Sequence, residues 1–319
     1  MNPPPYEITG KIMQQVAAIS EKIGEINAAH LNKPTLELRK KNRIKTIQSS
    51  LEIEGNSLSN QQITAILENK RVIAPQKDIL EVQNAIAVYE QLGKWKANNL
   101  NSLYKAHGIL MKGLTTHPGR LRTSGVGITK GSKVAHLTPP PSRLPSLMKM
   151  LFEYLKYSDE LPLIKSCVFH YELEFIHPFS DGNGRMGRLW QTLILQEYSE
   201  VFEFLPIETI IRNKQQAYYH ALGVSDKTGK PNAFIEFMLS VILEALEDLL
   251  SGKKKVLTAA DRISYFKDVA GNKWFTRLEY LRHYKDIATA TASRDLKVAL
   301  EQAILLKKGE HNRTQYKYQ

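Results

Sequence analysis

The sequence predicts a mainly α protein with one small β-hairpin near its middle and a separate basic unit at its C-terminal end. Three observations lead there. Apolar residues recur at helical spacing through most of the first 250 positions. Glycine-punctuated, β-branched stretches occur only around 125–137 and 304–318. At Ser251-Gly252-Lys253-Lys254-Lys255 a small-then-charged run reads as a linker. With 319 residues, 42% hydrophobic and 24% charged, the chain can bury a sizeable core, and its length suggests about two domains.

Taken in order, the proline-rich lead gives way to an amphipathic helix marked by Ile12, Val16, Ile19, Ile23 and Ile26. After Pro34 a second helix turns Leu38, Ile44, Ile47 and Leu51 inward and stops at Gly55. Ser59 or Asn60 caps a third, and further helices are expected over 79–92 and 100–114. From His117 the pattern changes to turns and a short hairpin, with Val134, Ala135, His136 and Leu137 on its second strand, ended by three prolines. Helices over 142–157, 161–177, 207–222 and 232–250 follow. In the tail, 275–284 forms a helix, Thr291 caps another, and strands 304–308 and 314–318 flank a turn.

Composition narrows the classes further. No run of about 18 apolar residues exists, and Met-Asn-Pro-Pro-Pro-Tyr lacks a basic-then-apolar signal, so neither a membrane span nor secretion is expected. The lone Cys167 sits in an apolar stripe, which suits a packed thiol in a reducing, cytoplasmic setting. The net charge is +12, and the last 69 residues carry 15 Lys and Arg against 7 Asp and Glu. Most of the excess therefore lies in the tail, which points to an acidic surface such as nucleic acid as its partner.

The stretch His177-Pro-Phe-Ser-Asp-Gly-Asn-Gly-Arg-Met-Gly-Arg188 carries the chemistry. Pro178 ends the preceding helix, and the Gly182-Asn183-Gly184 loop opens directly into the next. The first amides of a helix have no internal partners and face outward with the positive end of the dipole, so anions bind there. Arg185 and Arg188 add forked donors suited to phosphate oxygens. Asp181, an anion beside an anion site, makes sense if Mg²⁺ lies between. His177 is the side chain here whose ordinary pKa suits proton abstraction near neutrality. A rival reading takes His170, Glu174 and His177, at i, i+4 and i+7, as zinc ligands.

These residues resemble the active-site signature of Fic-domain proteins, His-Pro-Phe-x-Asp-Gly-Asn-Gly-Arg-x-x-Arg, without departure. The resemblance implies a Fic-type helical domain with a β-hairpin flap. It also implies a protein adenylyltransferase that moves AMP from ATP to a Ser, Thr or Tyr hydroxyl of a target protein, itself included. His177 would then deprotonate the hydroxyl, and Asp181 would hold Mg²⁺. Phe179 would anchor the loop, while Gly182, Asn183, Gly184, Arg185 and Arg188 would grip the phosphates. Ser50 and Glu54, in Ser50-Leu-Glu-Ile-Glu54-Gly55, resemble the inhibitory motif of some members, whose glutamate pairs with the second signature arginine. The alternative at Glu54 is a plain helix C-cap. Val134 to Leu137 would be the flap that docks the target as an added strand. Tyr218 and Tyr219 resemble residues lining the nucleoside pocket, with core packing equally open.

The expected division is an N-terminal helical region over 1–112, a Fic core over 113–250 and a winged helix-turn-helix domain over 256–319. That last unit resembles a winged helix, with Ser293, Arg294 and Lys297 facing double-stranded DNA from its second helix and Arg313 and Lys317 on the wing. A winged helix used for protein contact is the other reading. Homodimers are frequent in the family, so a homodimer is expected. Two functional rivals share the site: a hydrolase that removes AMP, and an ATP-sensing DNA-binding regulator.

Overall fold

The computed structural model describes residues 5–29, 36–125, 127–130, 133–251, 258–284, 287–310 and 314–319. It divides into two compact units, Met1–Leu249 and Leu250–Gln319. The linker lysines 253–255 and the hairpin tip with Arg313 lie outside the described residues. Within the described residues the chain is mainly helical, with two small antiparallel hairpins.

In the first unit, α1 (Gly10–Ala28) and α2 (Leu36–Ile53) precede α3 (Asn60–Leu67), α4 (Gln76–Tyr89) and α5 (Leu100–Leu110). Strands β1 (Gly127–Lys130) and β2 (Lys133–Leu137) form the hairpin. Then come α6 (Leu144–Tyr157), α7 (Pro162–Ile176), α8 (Asn183–Gln196), α9 (Ile207–Asn213), α10 (Gln215–Thr228) and α11 (Asn232–Ser251). Local chemistry accounts for the starts: Thr9 caps α1, Ser59 and Gln62 form a reciprocal capping box on α3, and prolines open α6 and α7.

Helices α7 and α8 form the centre. Both are buried nearly all round, as a helix enclosed by others must be. Their closeness depends on Gly187, because a Cβ there would stand 2.6 Å from the His170 ring. Trp190 is fully buried, and its indole N–H donates to the Ala97 carbonyl at 2.9 Å, so its apolar surface is enclosed without an orphaned donor. Helix α2 lies against α8 and α9 through Ile44, Ile47 and Leu51, which brings its C-terminal end to the start of α8.

The spacing predicts one helix over 207–222, but the structure breaks it at Lys214, whose φ and ψ of −112° and 29° are not helical. The break lets α9 pack on α2 while α10 runs separately towards α7.

The second unit comprises α12 (Ala259–Ala270), α13 (Arg277–His283), α14 (Thr289–Glu301), β3 (Leu305–Lys308) and β4 (Gln315–Tyr318). Helix α12 is absent from the sequence reading, although Thr258 and Asp261 form a capping box at its start. Helix α14 begins one half-turn before the expected Thr291 cap, with Ala288 at the extended N-cap position. Phe266, Phe275, Tyr280, Leu296 and Tyr318 make the core. Inside it Arg262 and Asp295 pair in a fork at 2.6 and 2.9 Å, with the Tyr280 hydroxyl donating to the same carboxylate. No helix among the described residues is long and apolar enough to cross a membrane.

Candidate functional site

The site begins where α7 ends. His177 takes left-handed angles, φ 48° and ψ 60°, and closes the helix by bonding its N–H to the Leu173 carbonyl. For a residue with a Cβ that conformation costs on the order of 1–3 kcal/mol and persists only where the surroundings hold it. Arg122 does the holding. Its backbone N–H donates to the Pro178 carbonyl at 2.9 Å and its Nε to the His177 carbonyl at 2.8 Å. The rest of the guanidinium reaches the Ser124 carbonyl, the Thr138 hydroxyl and the Pro139 carbonyl, so one buried arginine ties both stems of the β1–β2 hairpin to the histidine.

The next residues turn back on themselves. Phe179 is fully buried and stacks on His107, with centroids 3.7 Å apart and an interplanar angle of 8°. The Gly119 N–H donates to His107 Nδ1 at 2.8 Å, so the ring proton sits on Nε2, which donates to the Asp181 carbonyl at 2.9 Å. Burial pushes His107 down to about 4, which keeps that tautomer neutral. Asn183 exchanges two hydrogen bonds with the Phe179 backbone, at 2.9 and 3.0 Å. Its side chain therefore braces the loop, and what it presents outward is its amide.

Helix α8 starts from Gly182, whose φ is 84°. The first intrahelical bond runs from Met186 N to Gly182 O, so the Asn183, Gly184 and Arg185 amides precede it and open towards the front of the helix. Gly184 forms the floor: a Cβ there would lie 2.5 Å from Glu54 Oε1, 3.1 Å from Arg188 Nη1 and 3.2 Å from Glu174 Oε1. The Asp181 carboxylate is about half exposed at the rim, and its Oδ1 accepts from Gly182 N and from Arg185.

Both arginines are buried and already engaged. Arg185 spans Asp181 and Glu81, each at 3.2 Å, and Glu81 is itself braced by Asn56 at 2.9 Å. Arg188 donates to the Ser50 hydroxyl at 3.1 Å, the Ser50 carbonyl at 2.9 Å and Glu54 Oε1 at 2.7 Å. Burial alone would lower Arg188; the neighbouring Glu54 charge outweighs it and holds the guanidinium above its ordinary value. Thus α2 reaches across 134 positions to occupy the second arginine of the loop.

The tyrosine pair divides. Tyr218 is buried between His170 Nε2 at 3.0 Å and Glu174 Oε1 at 3.4 Å, whereas Tyr219 is exposed beside it. His170 is fully buried, bonds Gln191 through Nδ1 at 2.6 Å, and is pushed down to about 3 by burial. Both its ring nitrogens are taken, which removes it from a zinc set. Among the described residues no group of three or more His, Cys, Asp or Glu could hold a metal ion.

Backbone pairing places Val134 opposite Thr129, His136 opposite Ile128 and Leu137 opposite Gly127. The register shift leaves Ala135 as the extra residue on β2. In the second unit Arg294 and Lys297 are exposed on α14, and Lys297 lies 3.8 Å from Glu301. Ser293 bonds Thr289 O and accepts from Arg277. Sequence reasoning missed Arg122, His107 and Glu81, and offered Glu174 only as a zinc ligand. No local signal marks these roles, because each acts through contacts made after folding.

The sequence model of the Fic/DOC family matches residues 98–195, which include β1, β2, α7 and the cradle. Protein adenylyltransferase fic-1 of Caenorhabditis elegans is 28% identical over 233 residues, 68% of this chain and 42% of that protein. Protein adenylyltransferase Fic of Nematostella vectensis is 29% identical over 248 residues, 72% of this chain and 55% of that one. The chain therefore spans about half the length of the curated relatives it matches. A Fic family protein from Desulfovibrio desulfuricans G20 has a solved structure that superposes with a TM-score of 0.77 at 39% identity, covering 100% of this chain and 98% of that one. A family match that includes the cradle, joined to likeness over the whole length of a solved member, establishes that this chain belongs to the Fic family.

Proposed function

We propose that the chain is a protein adenylyltransferase that transfers AMP from ATP to a Ser, Thr or Tyr hydroxyl and is held back by Glu54. The observation that carries this is Arg188, buried at the floor of an amide cradle and held by the Ser50 and Glu54 end of α2. The 1–112 region would then act as the restraint and 113–250 as the catalytic core. When Glu54 withdraws, Arg188 is released to meet phosphate oxygens, and the Gly182, Asn183 and Gly184 amides complete the grip. Arg185, braced by Glu81, sets a fixed positive charge behind them.

His177 takes the proton from the target hydroxyl, whose oxygen then attacks the α-phosphorus while pyrophosphate leaves. Positioning and preorganised charge supply most of the rate. The donor set also suits Mg²⁺: Asp181 offers a rim carboxylate beside the phosphate cradle, the hard oxygen ligand this ion prefers. When bound, the ion would neutralise phosphate charge. Val134 to Leu137 would dock an extended segment of the target along β2, and Tyr219, the exposed member of the pair, would meet the nucleoside.

The test is incubation of the Glu54→Gly protein with α-labelled ATP, GTP, CTP and UTP in a cell lysate, followed by identification of the labelled residue. Label should enter protein from ATP and vanish with His177→Ala. Release of AMP from a pre-modified protein, with no incorporation, would instead favour a hydrolase.

The second unit, with α13, α14 and the β3–β4 hairpin, we read as a winged helix that uses exposed Arg294 and Lys297 against duplex DNA, Ser293 at their side and Lys317 on the hairpin. Binding that weakens steeply with salt and with Arg294→Ala supports this, and absence of binding at low salt rejects it.

A further inference from the structure

Glu174 stands on α7 one turn before His177, and nothing derived so far uses it. Its carboxylate is almost enclosed, and Oε1 lies against the α-carbon face of Gly184, where Glu54 Oε1 and Arg188 Nη1 also converge. From α10 the Tyr218 hydroxyl reaches it at 3.4 Å, with Tyr219 alongside and Asp226 adding a negative charge. On its own helix His170 Nε2 is 4.0 Å away and neutral. The charged groups facing Glu174 are thus Arg188 from α8, Glu54 from the end of α2 and Asp226 from α10.

With Glu54 in place, the guanidinium of Arg188 is hydrogen-bonded to Glu54, and Glu174 feels its charge without bonding to it. Withdrawal of Glu54 leaves Glu174 as the acid beside Arg188, at the mouth where phosphate oxygens would arrive. An ionised Glu174 would repel them, whereas a protonated one could donate a hydrogen bond. We infer that binding of a nucleoside triphosphate at the Gly184 cradle takes up one proton at Glu174, so that this side chain sets the pH range in which the site accepts nucleotide. The inference rests on the proposal that the 182–188 loop binds nucleotide phosphates.

The proton balance has a definite sign. Burial, then the Glu54 charge, push Glu174 up to about 7. Removing Glu54 lowers it from there, and an arriving polyanion raises it again. Between those two limits solvent supplies the proton, and affinity falls as pH rises, by at most about tenfold per pH unit.

The experiment uses the full chain carrying Glu54→Gly, with and without Glu174→Gln. The probe is α,β-methylene ATP with Mg²⁺, which cannot transfer AMP, titrated by calorimetry from pH 6 to 9 in buffers of different ionisation heat. The γ-phosphate titrates equally in both proteins and cancels in their comparison. The Glu174 protein should take up about one more proton and lose affinity at high pH relative to the glutamine variant. Parallel curves with equal proton uptake would overturn the role of Glu174 and leave the cradle intact. Absence of binding by both proteins at every pH would overturn the cradle too. Should the glutamine variant fail to fold, ¹³C-carboxyl spectra of glutamate-labelled Glu54→Gly protein decide the matter. Burial also pushes Glu172 and Glu208 up to about 7, so the Glu174 signal is the carboxyl that, unlike those two, is driven to its protonated form by the nucleotide analogue, and the absence of any carboxyl so moved refutes the inference.

Discussion

Replacing Glu54 with glycine tests the restraint at its narrowest point. Glu54 Oε1 receives one charge-assisted hydrogen bond from Arg188 at 2.7 Å, at the edge of a buried cluster. Such bonds contribute roughly 1.5–3 kcal/mol, and the part-exposed glutamate places this one towards the lower half. About 2 kcal/mol corresponds to roughly 30-fold in the fraction of Arg188 free to meet a triphosphate. The two bonds from Arg188 to Ser50 do not involve the Glu54 side chain, so α2 should stay docked. Initial rates of AMP incorporation from α-labelled ATP should therefore rise about 30-fold, with Arg188→Ala inactive in both backgrounds as the control. Equal rates for Glu54→Gly and the parent chain would show that the ion pair restrains nothing.

Three further outcomes follow from the geometry. Arg122→Lys keeps the charge but cannot span four acceptors, so transfer should drop about 100-fold while nucleotide affinity moves less than about twofold; an unchanged transfer rate counts against the clamp. Glu208 is fully buried and pushed by burial from 4.5 up to about 7, so its folded form binds more protons than the unfolded chain within that window. Stability should be greatest below pH 4.5 for this group and be lost as pH rises through 7; Glu208→Gln should then stabilise by about 2–3 kcal/mol at pH 8 and little at pH 4.5 in thermal melts. Asp295→Ala leaves Arg262 in the core of the second unit without its carboxylate and should destabilise that unit by about 3–5 kcal/mol, seen as an early calorimetric transition.

Helix positions were legible wherever burial was one-sided. Ile12, Ile19, Ile23 and Ile26 of α1 all turn inward as their spacing predicts. The break at Lys214 was not legible, because α9 and α10 continue one apolar pattern while packing on different neighbours. Helix α12 was missed for the opposite reason: its capping box is local, yet its apolar face is thin, with Ile263 and Phe266 carrying its contribution to the core.

The same contrast runs through the site. A contiguous run of twelve residues, 177–188, spells out by itself a helix end, a glycine turn and a helix start, because each step depends on backbone angles set by immediate neighbours. Family membership travels with that run. What sequence alone could not determine is who stands around it. Arg122 meets His177 across 55 positions and Glu81 meets Arg185 across 104, while Glu174 turns towards Gly184, a neighbour that its helical spacing with His170 and His177 does not reveal. Those partners follow from how α2, α4, α5 and α7 pack around α8. Close packing brings distant charges within about 3 Å in low dielectric, where their pairing and protonation are settled by tertiary position rather than by residue type.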